Sequence, residues 1–397
     1  MTEPLDEHER RARIAMSRVA EPGDVDACRL VREHSAVVLL ERLGAGGLPA
    51  SKARDWAERI DQAEPDQFLK VAERVGARFI CPGDAEWPAQ LADLQALEDE
   101  TGDRRGGDPF GLWVRGEVNL REAAARSVSL VGARDATAYG EHVAGDLAAR
   151  CGRQSHAVIS GAAHGIDAAA HWGALTSTDR TIAVLACGID RSYPAANHNL
   201  LQRIAVEGLV VSEAAPGCVP SRSRFLVRNR LIAALSQGTV VVEAALRSGS
   251  LNTARWACDL GRAVMGVPGP VTSMASAGVH ELLRQPGSLL VTDADEIIEH
   301  ISPVGVGLAP AKTGAVLPRD GLDPRSRQLL DAVPKCSPAS AASIAKAAGL
   351  QVDDVTVRLR RLGDLGLVTG ERGRWRLGGL EPASPATPTG TGSKPAR

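Results

Sequence analysis

The chain has 397 residues, too many for one ordinary domain, so its length predicts two or three domains. Hydrophobic residues make up 44% of it, yet no apolar run reaches membrane-spanning length and the polar N terminus does not resemble a signal peptide, which excludes a membrane partner and predicts a cytoplasmic protein. The 46 lysines and arginines against 48 acidic residues leave a net charge of -2, so binding to nucleic acid could come only from local clustering.

Cysteines and aromatic residues narrow the chemistry further. The seven cysteines are dispersed and never spaced Cys-x-x-Cys, a pattern that predicts reduced thiols rather than a disulfide framework or zinc site. His164, Asp167 and His171 lie close in sequence, but no further ligand completes a metal site, so we expect structural roles and no metal or cofactor. Aromatic residues are only 3%, so stacking on bases would depend on one or two side chains.

The first 75 residues are predicted to form a small helical domain. Apolar periodicity indicates helices over Ala27–Leu43, Ala50–Ile60 and Pro65–Val75. The turn between the first two, Leu43–Pro49, is rich in glycine. Such a turn can present backbone N–H groups to a DNA phosphate, as in helix-hairpin-helix modules, but an ordinary loop between helices is the favoured interpretation.

Short strands are predicted over Ala77–Cys81 and Leu112–Gly116, separated by a charged, glycine-rich loop over Asp99–Asp108. We expect these two strands to extend the edge of the sheet that follows.

From Ser127 the pattern alternates between strand and helix, which predicts an α/β fold with a mainly parallel, doubly wound sheet. Continuously apolar runs are typical of strands buried on both faces. The predicted strands are Val128–Val131, Ala157–Ile159, Ile182–Leu185, Leu209–Val211, Thr239–Val242, Ala263–Val267 and Leu289–Val291. The predicted helices are Gly140–Cys151, Gly165–Leu175, Ala196–Val206, Val227–Leu235 and Thr253–Gly261.

Ligands of such sheets bind beyond the carboxyl ends of the strands. The loops predicted there are rich in glycine and small hydroxyl residues, which suit backbone N–H contacts to phosphate. Two of these loops also carry an arginine, Arg134 and Arg247.

The segment Arg222–Leu235 concentrates positive charge. Arg222, Arg224, Arg228 and Arg230 are predicted to lie at the start of a helix, where the macrodipole disfavours cations. A bound anion would relieve this repulsion, and Phe225 could stack on a base. The alternative is that these arginines pair with scattered carboxylates on a solvated face, and the sequence leaves both interpretations open.

Several enzyme signatures are missing from the chain. There is no G-x-G-x-x-G fingerprint after the first strand of the parallel sheet, and no Walker A motif anywhere. Glu243 ends a predicted strand at the ligand edge and could serve as a general base. A simpler interpretation is that it pairs with the nearby arginines and orients them.

The C-terminal part is predicted to be a separate module. A linker rich in Pro, Gly and Ala spans Ser302–Pro318, and Leu322–Gly378 has the helix-turn-helix and hairpin pattern of a winged helix. Its third helix carries an apolar stripe, expected in the core, and arginines that are either a recognition face or simply solvated. The stripe is Val352, Val355, Leu359 and Leu362, and the arginines are Arg358, Arg360 and Arg361. Residues 381–397 are predicted to be disordered.

A combination of short motifs runs through residues 76–300. They are Trp87-Pro88, Trp113-Val-Arg-Gly116, Val131-Gly-Ala-Arg134, Ser160-Gly-x-Ala-x-Gly-Ile-Asp167, Tyr193-Pro194, Ser212-Glu213, Phe225 with Arg228-Asn-Arg-Leu-Ile232, Val242-Glu243, Ser248-Gly-Ser250 and Val267-Pro-Gly269. Taken together, these motifs resemble the DprA/Smf family of DNA-processing proteins.

The resemblance implies an extended Rossmann-like sheet domain over residues 76–303. It would follow a helical, SAM-like domain (1–75) and precede a linker (304–320), a winged helix (321–380) and the tail. It also implies a homodimer that binds single-stranded DNA, displaces single-strand-binding protein and loads the RecA recombinase in natural transformation, without being an enzyme. The residues implied to contact DNA are Arg134, Ser160, Gly161, Phe225, Arg228, Asn229 and Arg230, to which the charge analysis adds Arg224. Glu243, Ser248 and Ser250 are expected to support them.

The chain departs from the family pattern at His280, where members usually have Asn, and at Asn252, which replaces a commonly apolar residue. Two other functions stay open. One is a nucleotide-processing phosphoribohydrolase on the same kind of sheet, although its Pro-Gly-Gly-x-Gly-Thr loop is absent. The other is a winged-helix transcription regulator, which sequence-specific duplex binding would favour.

Overall fold

The structure is a computed structural model that describes residues 5–46, 50–101, 106–177, 180–314 and 317–378. Residues 47–49 of the predicted glycine-rich turn and the predicted tail 381–397 lie outside the described residues. The chain divides into two compact units, Met1–Pro310 and Ala311–Arg397. No helix among the described residues is long and apolar enough to cross a bilayer.

The first unit opens with a group of helices. They are α1 (Glu7–Val19), α2 (Val25–His34), α3 (Ala36–Gly44), α4 (Ala50–Ile60) and α5 (Pro65–Arg74). The single helix predicted over Ala27–Leu43 is wrong, because the chain breaks at Ser35, where φ is 77°. The Ser35 hydroxyl accepts the Val38 N–H at 3.4 Å and so caps α3, a local contact that competes with a continuous helix.

These helices share buried surface with the sheet that follows. Met16, Leu39 and Trp56 form a core of their own. Ile14 and Phe68 instead belong to the apolar cluster that includes strand residues of the sheet.

The described strands of the first unit form one nine-stranded sheet. They are β1 (Ala77–Ile80), β2 (Leu112–Arg115), β3 (Ser127–Val131), β4 (Ala157–Ser160), β5 (Thr181–Leu185), β6 (Leu209–Ser212), β7 (Gly238–Val241), β8 (Ala263–Gly266) and β9 (Ser288–Leu290). Their spatial order is β1-β2-β6-β5-β4-β3-β7-β8-β9. All neighbours from β6 to β9 are parallel, whereas β2 is antiparallel to both β1 and β6. The predicted large, mainly parallel sheet is confirmed, and its strand order reverses between β3 and β7.

Helices cover both faces of the sheet, because side chains alternate along each buried strand. They are α6 (Asp93–Thr101), α7 (Leu120–Ala125), α8 (Ala138–Arg153), α9 (Ile166–Ala174), α10 (His198–Glu207), α11 (Arg222–Leu235), α12 (Ser250–Asp259), α13 (Ala277–Leu283) and α14 (Ala294–Ile301). In β3, Leu130 joins the cluster with α8, α9 and α14, while Val131 joins the cluster with α11 and α12. The predicted loop over Asp99–Asp108 is partly wrong, since residues 99–101 belong to α6.

The second unit contains α15 (Pro324–Ala332), β10 (Ala339–Ser340), α16 (Ala341–Ala348), α17 (Val352–Asp364), β11 (Val368–Glu371) and β12 (Arg374–Leu377). Its strands form an antiparallel sheet in the order β10-β12-β11. Leu359 and Leu362 of α17 lie in the core as predicted. Val352 does not, because it is the first residue of α17 and is 44% exposed.

Candidate nucleic-acid interface

The crevice between β3 and β7 is the place where doubly wound sheets bind ligands. In this chain the Glu243 carboxylate occupies that crevice. Glu243 is 1% exposed and accepts hydrogen bonds from the backbone N–H (2.9 Å) and hydroxyl (2.6 Å) of Thr137, which caps α8. A Cβ at Gly140, in the first turn of α8, would come 2.2 Å from Glu243 Oε2. The expectation that Glu243 pairs with arginines is wrong, because the N terminus of α8 is its partner.

This packing has a consequence for ligand binding. In dinucleotide-binding proteins the first helix N terminus after the first strand holds a phosphate. Here the N–H of Thr137, the N-cap of α8, donates to the Glu243 carboxylate, and the N–H of Gly140 donates to the Thr137 hydroxyl. A ligand at this edge must therefore contact the neighbouring loops and the start of α11.

Helix α11 begins earlier than predicted. Its first residue is Arg222, and the Ser221 hydroxyl caps it by accepting the Arg224 N–H at 3.3 Å. Arg228 and Arg230 consequently lie in the second and third turns, so the prediction that they crowd the helix start is wrong. Arg224 is half-buried, and its Nε lies 2.9 Å from a carboxylate oxygen of Glu21, so it already has an acidic partner.

Arg230 is a buried structural residue. Its side chain is 0% exposed and forms two hydrogen bonds to the Glu213 carboxylate, at 2.7 and 2.8 Å. Its Nε donates to the Gly107 carbonyl at 2.9 Å. Glu213 also accepts the Gly23 N–H at 3.2 Å, so the pair joins α11 to the N-terminal part of the unit. In this conformation Arg230 has no surface to offer to DNA.

Arg228 holds the loop after β4 through a hydrogen bond to its backbone. Its side chain is buried, and Nη1 donates to the Gly161 carbonyl at 2.8 Å. A Cβ at Gly161 would come 2.1 Å from that nitrogen, so only glycine fits here. Burial lowers the pKa of Arg228 to about 10, while the nearby Asp167 carboxylate acts in the opposite direction. Ser160 is likewise turned inward, since its hydroxyl donates to the Leu130 carbonyl at 2.6 Å.

Asn229 and the serine pair stabilise the loop before α12. The Asn229 amide donates to the Gly249 carbonyl (3.2 Å) and to Asn252 Oδ1 (3.3 Å), which explains what a polar residue does at position 252. The Ser248 and Ser250 hydroxyls lie 2.7 Å apart.

His280, the other departure from the family pattern, has a local partner of its own. Its Nε2 lies 3.1 Å from the Gly269 carbonyl oxygen, so it packs against the turn after β8.

One group of side chains does face solvent at this edge, and we call it the aromatic–arginine surface: Arg134, Tyr193 and Phe225. The guanidinium carbon of Arg134 lies 4.8 Å from the centre of the Phe225 ring. The centres of the Phe225 and Tyr193 rings are 5.5 Å apart, with the planes tilted by 49°. Arg134 is exposed, Tyr193 is 42% exposed and Phe225 is half-buried. Two loops, after β3 and after β5, thus meet the first turn of α11 at one surface.

Sequence reasoning predicted Arg134 and Phe225 for this edge but did not include Tyr193 as a site residue. The available signal is the Tyr193-Pro194 motif, which belongs to the family pattern. The contact between the two rings depends on tertiary structure and could not be inferred from spacing.

A buried histidine beneath this edge makes stability depend on pH. His171 is fully buried, and its Nδ1 lies 2.7 Å from the Thr181 hydroxyl oxygen. That hydroxyl donates to the Val158 carbonyl at 2.8 Å, so Nδ1 must carry the proton. Burial, reinforced by the positive charge of Arg228, lowers the pKa of His171 to about 3.

We expect His171 to reduce stability in mild acid. Because the unfolded histidine gains a proton near pH 6.5 and the folded one does not, its contribution is complete above that pH and is lost as the pH falls toward 3. Between pH 6.5 and 5 the loss is up to about 2 kcal/mol. Urea unfolding of His171→Gln across this range should show a shallower loss than wild type. If the free energy of unfolding falls equally steeply with pH in both proteins, His171 is not the group responsible. Asp167, whose pKa is raised by burial, is present in both proteins and cannot cause a difference between them.

Comparison with known proteins identifies the family to which this chain is similar. The sequence profile of the DNA recombination-mediator protein A family matches residues 78–302. The DprA of Mycobacterium tuberculosis is 45% identical over 371 residues, which cover 92% of this chain and 94% of that one. Protein Smf of Synechocystis sp. is 30% identical over 338 residues, covering 78% and 82%.

A solved structure agrees with these sequence matches. The X-ray structure of DprA from Streptococcus pneumoniae superposes with a TM-score of 0.60 at 27% identity, covering 75% of this chain and 98% of that one. The chain belongs to the DNA recombination-mediator protein A family, DprA.

Proposed function

We propose that this protein is a DNA-processing recombination mediator that binds single-stranded DNA through the aromatic–arginine surface. The observation that carries the proposal is the contact of Arg134, Phe225 and Tyr193 at the carboxyl edge of the sheet. Arg134 has no carboxylate partner among the described residues, so its charge is available to a phosphate. The rings beside it offer a face to a base.

A single strand suits this surface better than a duplex does. In a duplex the faces of the bases stack on each other, whereas unpaired bases can stack on aromatic side chains. Each such stacked base contributes roughly 1–3 kcal/mol to the binding free energy. An exposed arginine next to the rings can then bind the adjoining phosphate. The chain's overall charge of -2 means that this local arrangement, rather than a general positive field, has to supply the affinity.

The other predicted site residues receive supporting roles in this proposal. Gly161 and Ser160 shape the loop after β4, which Arg228 holds by its hydrogen bond. Arg224, Arg230 and Asn229 fix α11 and so place Phe225, because their polar groups are bound to Glu21, Glu213 and Asn252. Glu243, Ser248 and Ser250 fix the loops on either side.

The test is a direct comparison of two DNA forms. Fluorescence anisotropy with a labelled oligonucleotide and its duplex, at one salt concentration, should give at least about fivefold tighter binding of the single strand, the smallest effect expected for one stacked base. Equal or tighter binding of the duplex would reject the proposal and favour a duplex-binding regulator.

We further propose the finer role that the family membership supports, the loading of RecA onto DNA covered by single-strand-binding protein. Its test is the formation of RecA filaments on such DNA with and without this protein. No acceleration would remove RecA and single-strand-binding protein from its partners.

Catalysis is not part of the proposal. Glu243, the one residue considered as a general base, is buried and accepts two hydrogen bonds from Thr137, so it has no access to a substrate. We expect no release of phosphate from ATP or of base from a nucleoside monophosphate. Turnover that disappears in Glu243→Gln would overturn this expectation.

The first unit alone should dimerise and bind single strands. The unit Met1–Pro310 contains the whole aromatic–arginine surface, and a twofold dimer would present two such surfaces to one strand. A protein truncated after Pro310 is expected to keep its affinity for single-stranded DNA within about threefold of that of the full chain. Light scattering should give it the mass of a dimer. Loss of most affinity in the folded truncation would instead move the main site to the second unit.

We infer that the second unit is a winged helix, supported by its helices followed by the β11–β12 hairpin. Of the α17 arginines, Arg358 is bound to Asp323 and Asp354, both at 2.9 Å. Arg360 and Arg361 are exposed and would form any nucleic-acid contact there. The test measures duplex binding by the isolated second unit, which we expect the double variant Arg360→Gln/Arg361→Gln to lose. Unchanged binding in that variant would show that these arginines do not contact DNA.

A further inference from the structure

A positively charged cavity shares the loop after β5 with the aromatic–arginine surface. It has a volume of about 200 Å³ and is lined by residues of α5, β2, β6, α10 and that loop. Its charged lining consists of Arg74, Arg115, Arg191, His198 and a single carboxylate, Asp190. None of these residues belongs to the site proposed above.

Arg115 is the deepest of these cations. It is half-buried, and burial lowers its pKa. Its guanidinium donates to the neutral Gln202 Oε1 at 2.6 Å, and no carboxylate within the described ranges pairs with it. A partly desolvated arginine without an acidic partner is an unfavourable arrangement that an anion would stabilise.

The other cations of the cavity also lack acidic partners among the residues that the structure describes. The Nε atoms of Arg191 and Arg74 donate to the carbonyls of Gly217 and Lys70, each at 3.2 Å. Asp190 is engaged elsewhere, since its Oδ1 accepts the Gly217 N–H at 2.8 Å. Three arginines against one carboxylate leave the cavity with a net positive charge.

We propose that this cavity binds a phosphate group, held by Arg115 and Arg191. Its volume admits a phosphate with several waters, since one water needs only about 10–15 Å³ of such cavity volume. Arg191 and Ser192 of its lining directly precede Tyr193, whose ring lies 5.5 Å from that of Phe225. The loop after β5 therefore contributes residues both to the cavity and to the aromatic–arginine surface.

The phosphate can come from three sources with the same chemistry: the interior of a strand, a 5′-terminal phosphate or a free anion. The first two rest on the proposed DNA-binding function, whereas the third does not. The full-length protein is tested with three probes, namely an oligonucleotide with a 5′-hydroxyl, the same oligonucleotide with a 5′-phosphate, and inorganic pyrophosphate. Anisotropy measures the first two, and the shift of the melting temperature measures the third.

The variants are Arg115→Gln and Arg191→Gln, with Arg150→Gln as the matched control. Arg150 lies in the last turn of α8 and pairs with Asp146 at 2.8 Å, so its loss removes one charge far from the carboxyl edge. Because Arg115 is half-buried, its variant could fail to fold. The exposed Arg191 then decides the outcome.

Each pattern identifies the source. Loss of at least about tenfold for both oligonucleotides indicates an interior phosphate, and the salt dependence should then flatten by about 0.7 in the log–log slope. Loss confined to the phosphorylated oligonucleotide indicates a terminal phosphate. A pyrophosphate-induced rise in the melting temperature that only the control retains indicates a free anion.

Folded pocket variants that match Arg150→Gln with all three probes would overturn the proposal. A different result would reject the DNA-binding function: the wild-type protein would then bind neither oligonucleotide. In that case the melting-temperature shift with pyrophosphate would still show whether the cavity binds an anion.

Discussion

Replacing Arg230 by alanine is expected to lower the free energy of unfolding by about 3–5 kcal/mol, because it leaves the charge of Glu213 buried without its partner. The Arg230 side chain is 0% exposed and that of Glu213 only 7%, so water cannot compensate for the lost pair. The Gly107 carbonyl also loses its donor. Urea unfolding followed by circular dichroism measures the change.

The matched variants separate the ion pair from simple loss of a large side chain. Glu213→Ala should destabilise by a similar amount, since it strands the Arg230 charge. Arg230→Met/Glu213→Leu should recover much of the loss, because two apolar groups leave no unpaired charge. Arg150→Ala, which breaks an exposed pair, should change stability by less than about 1 kcal/mol. A loss equally small in Arg230→Ala would show that the buried pair does not hold α11 in place.

Replacing Phe225 by alanine is expected to weaken single-strand binding by about 5- to 150-fold, the equivalent of roughly 1–3 kcal/mol for one stacked base. Phe225 also supports Arg134, whose guanidinium lies 4.8 Å from the ring centre. The variant should fold normally, because the ring is only half-buried at the first turns of α11. Anisotropy with an unmodified oligonucleotide measures the affinity.

Trp172 offers a matched control for this variant. It is 43% exposed on α9, and the guanidinium carbon of Arg203 lies 5.6 Å from its ring centre. Trp172→Ala therefore removes an exposed aromatic residue with the same kind of arginine contact from a different helix. It should leave DNA affinity unchanged. If both variants lose affinity equally, or neither does, Phe225 has no specific contact with a base.

The sheet could be predicted from sequence because its signal is local. Runs such as Ile182–Leu185 are apolar on both faces, and only a strand between two helical layers buries such a run in so few residues. The carboxyl edge followed from the alternation of strands and helices, and with it the position of Arg134. The break at Ser35 could not be anticipated, because the apolar pattern continues through it.

The role of the α11 arginines could not be predicted in the same way. Four arginines near one helix suggest an exposed basic face when only the sequence is visible. Glu213 neutralises the charge of Arg230 and the Gly107 carbonyl accepts its Nε–H, and nothing in the sequence indicates that they meet it. An arginine is suited to such a buried site because its planar fork binds a carboxylate through two hydrogen bonds. The same segment therefore carries both a structural ion pair and, in Phe225, a candidate contact with DNA.

The most direct test of this account is the salt dependence of single-strand binding in Arg134→Gln and Phe225→Ala. The account predicts that Arg134→Gln flattens the log–log slope by about 0.7, as expected for one lost phosphate contact. Phe225→Ala should lower affinity with the slope unchanged, because stacking releases no counterions. Folded variants that both bind with the affinity and slope of the wild-type protein would contradict the claim that this surface binds single-stranded DNA.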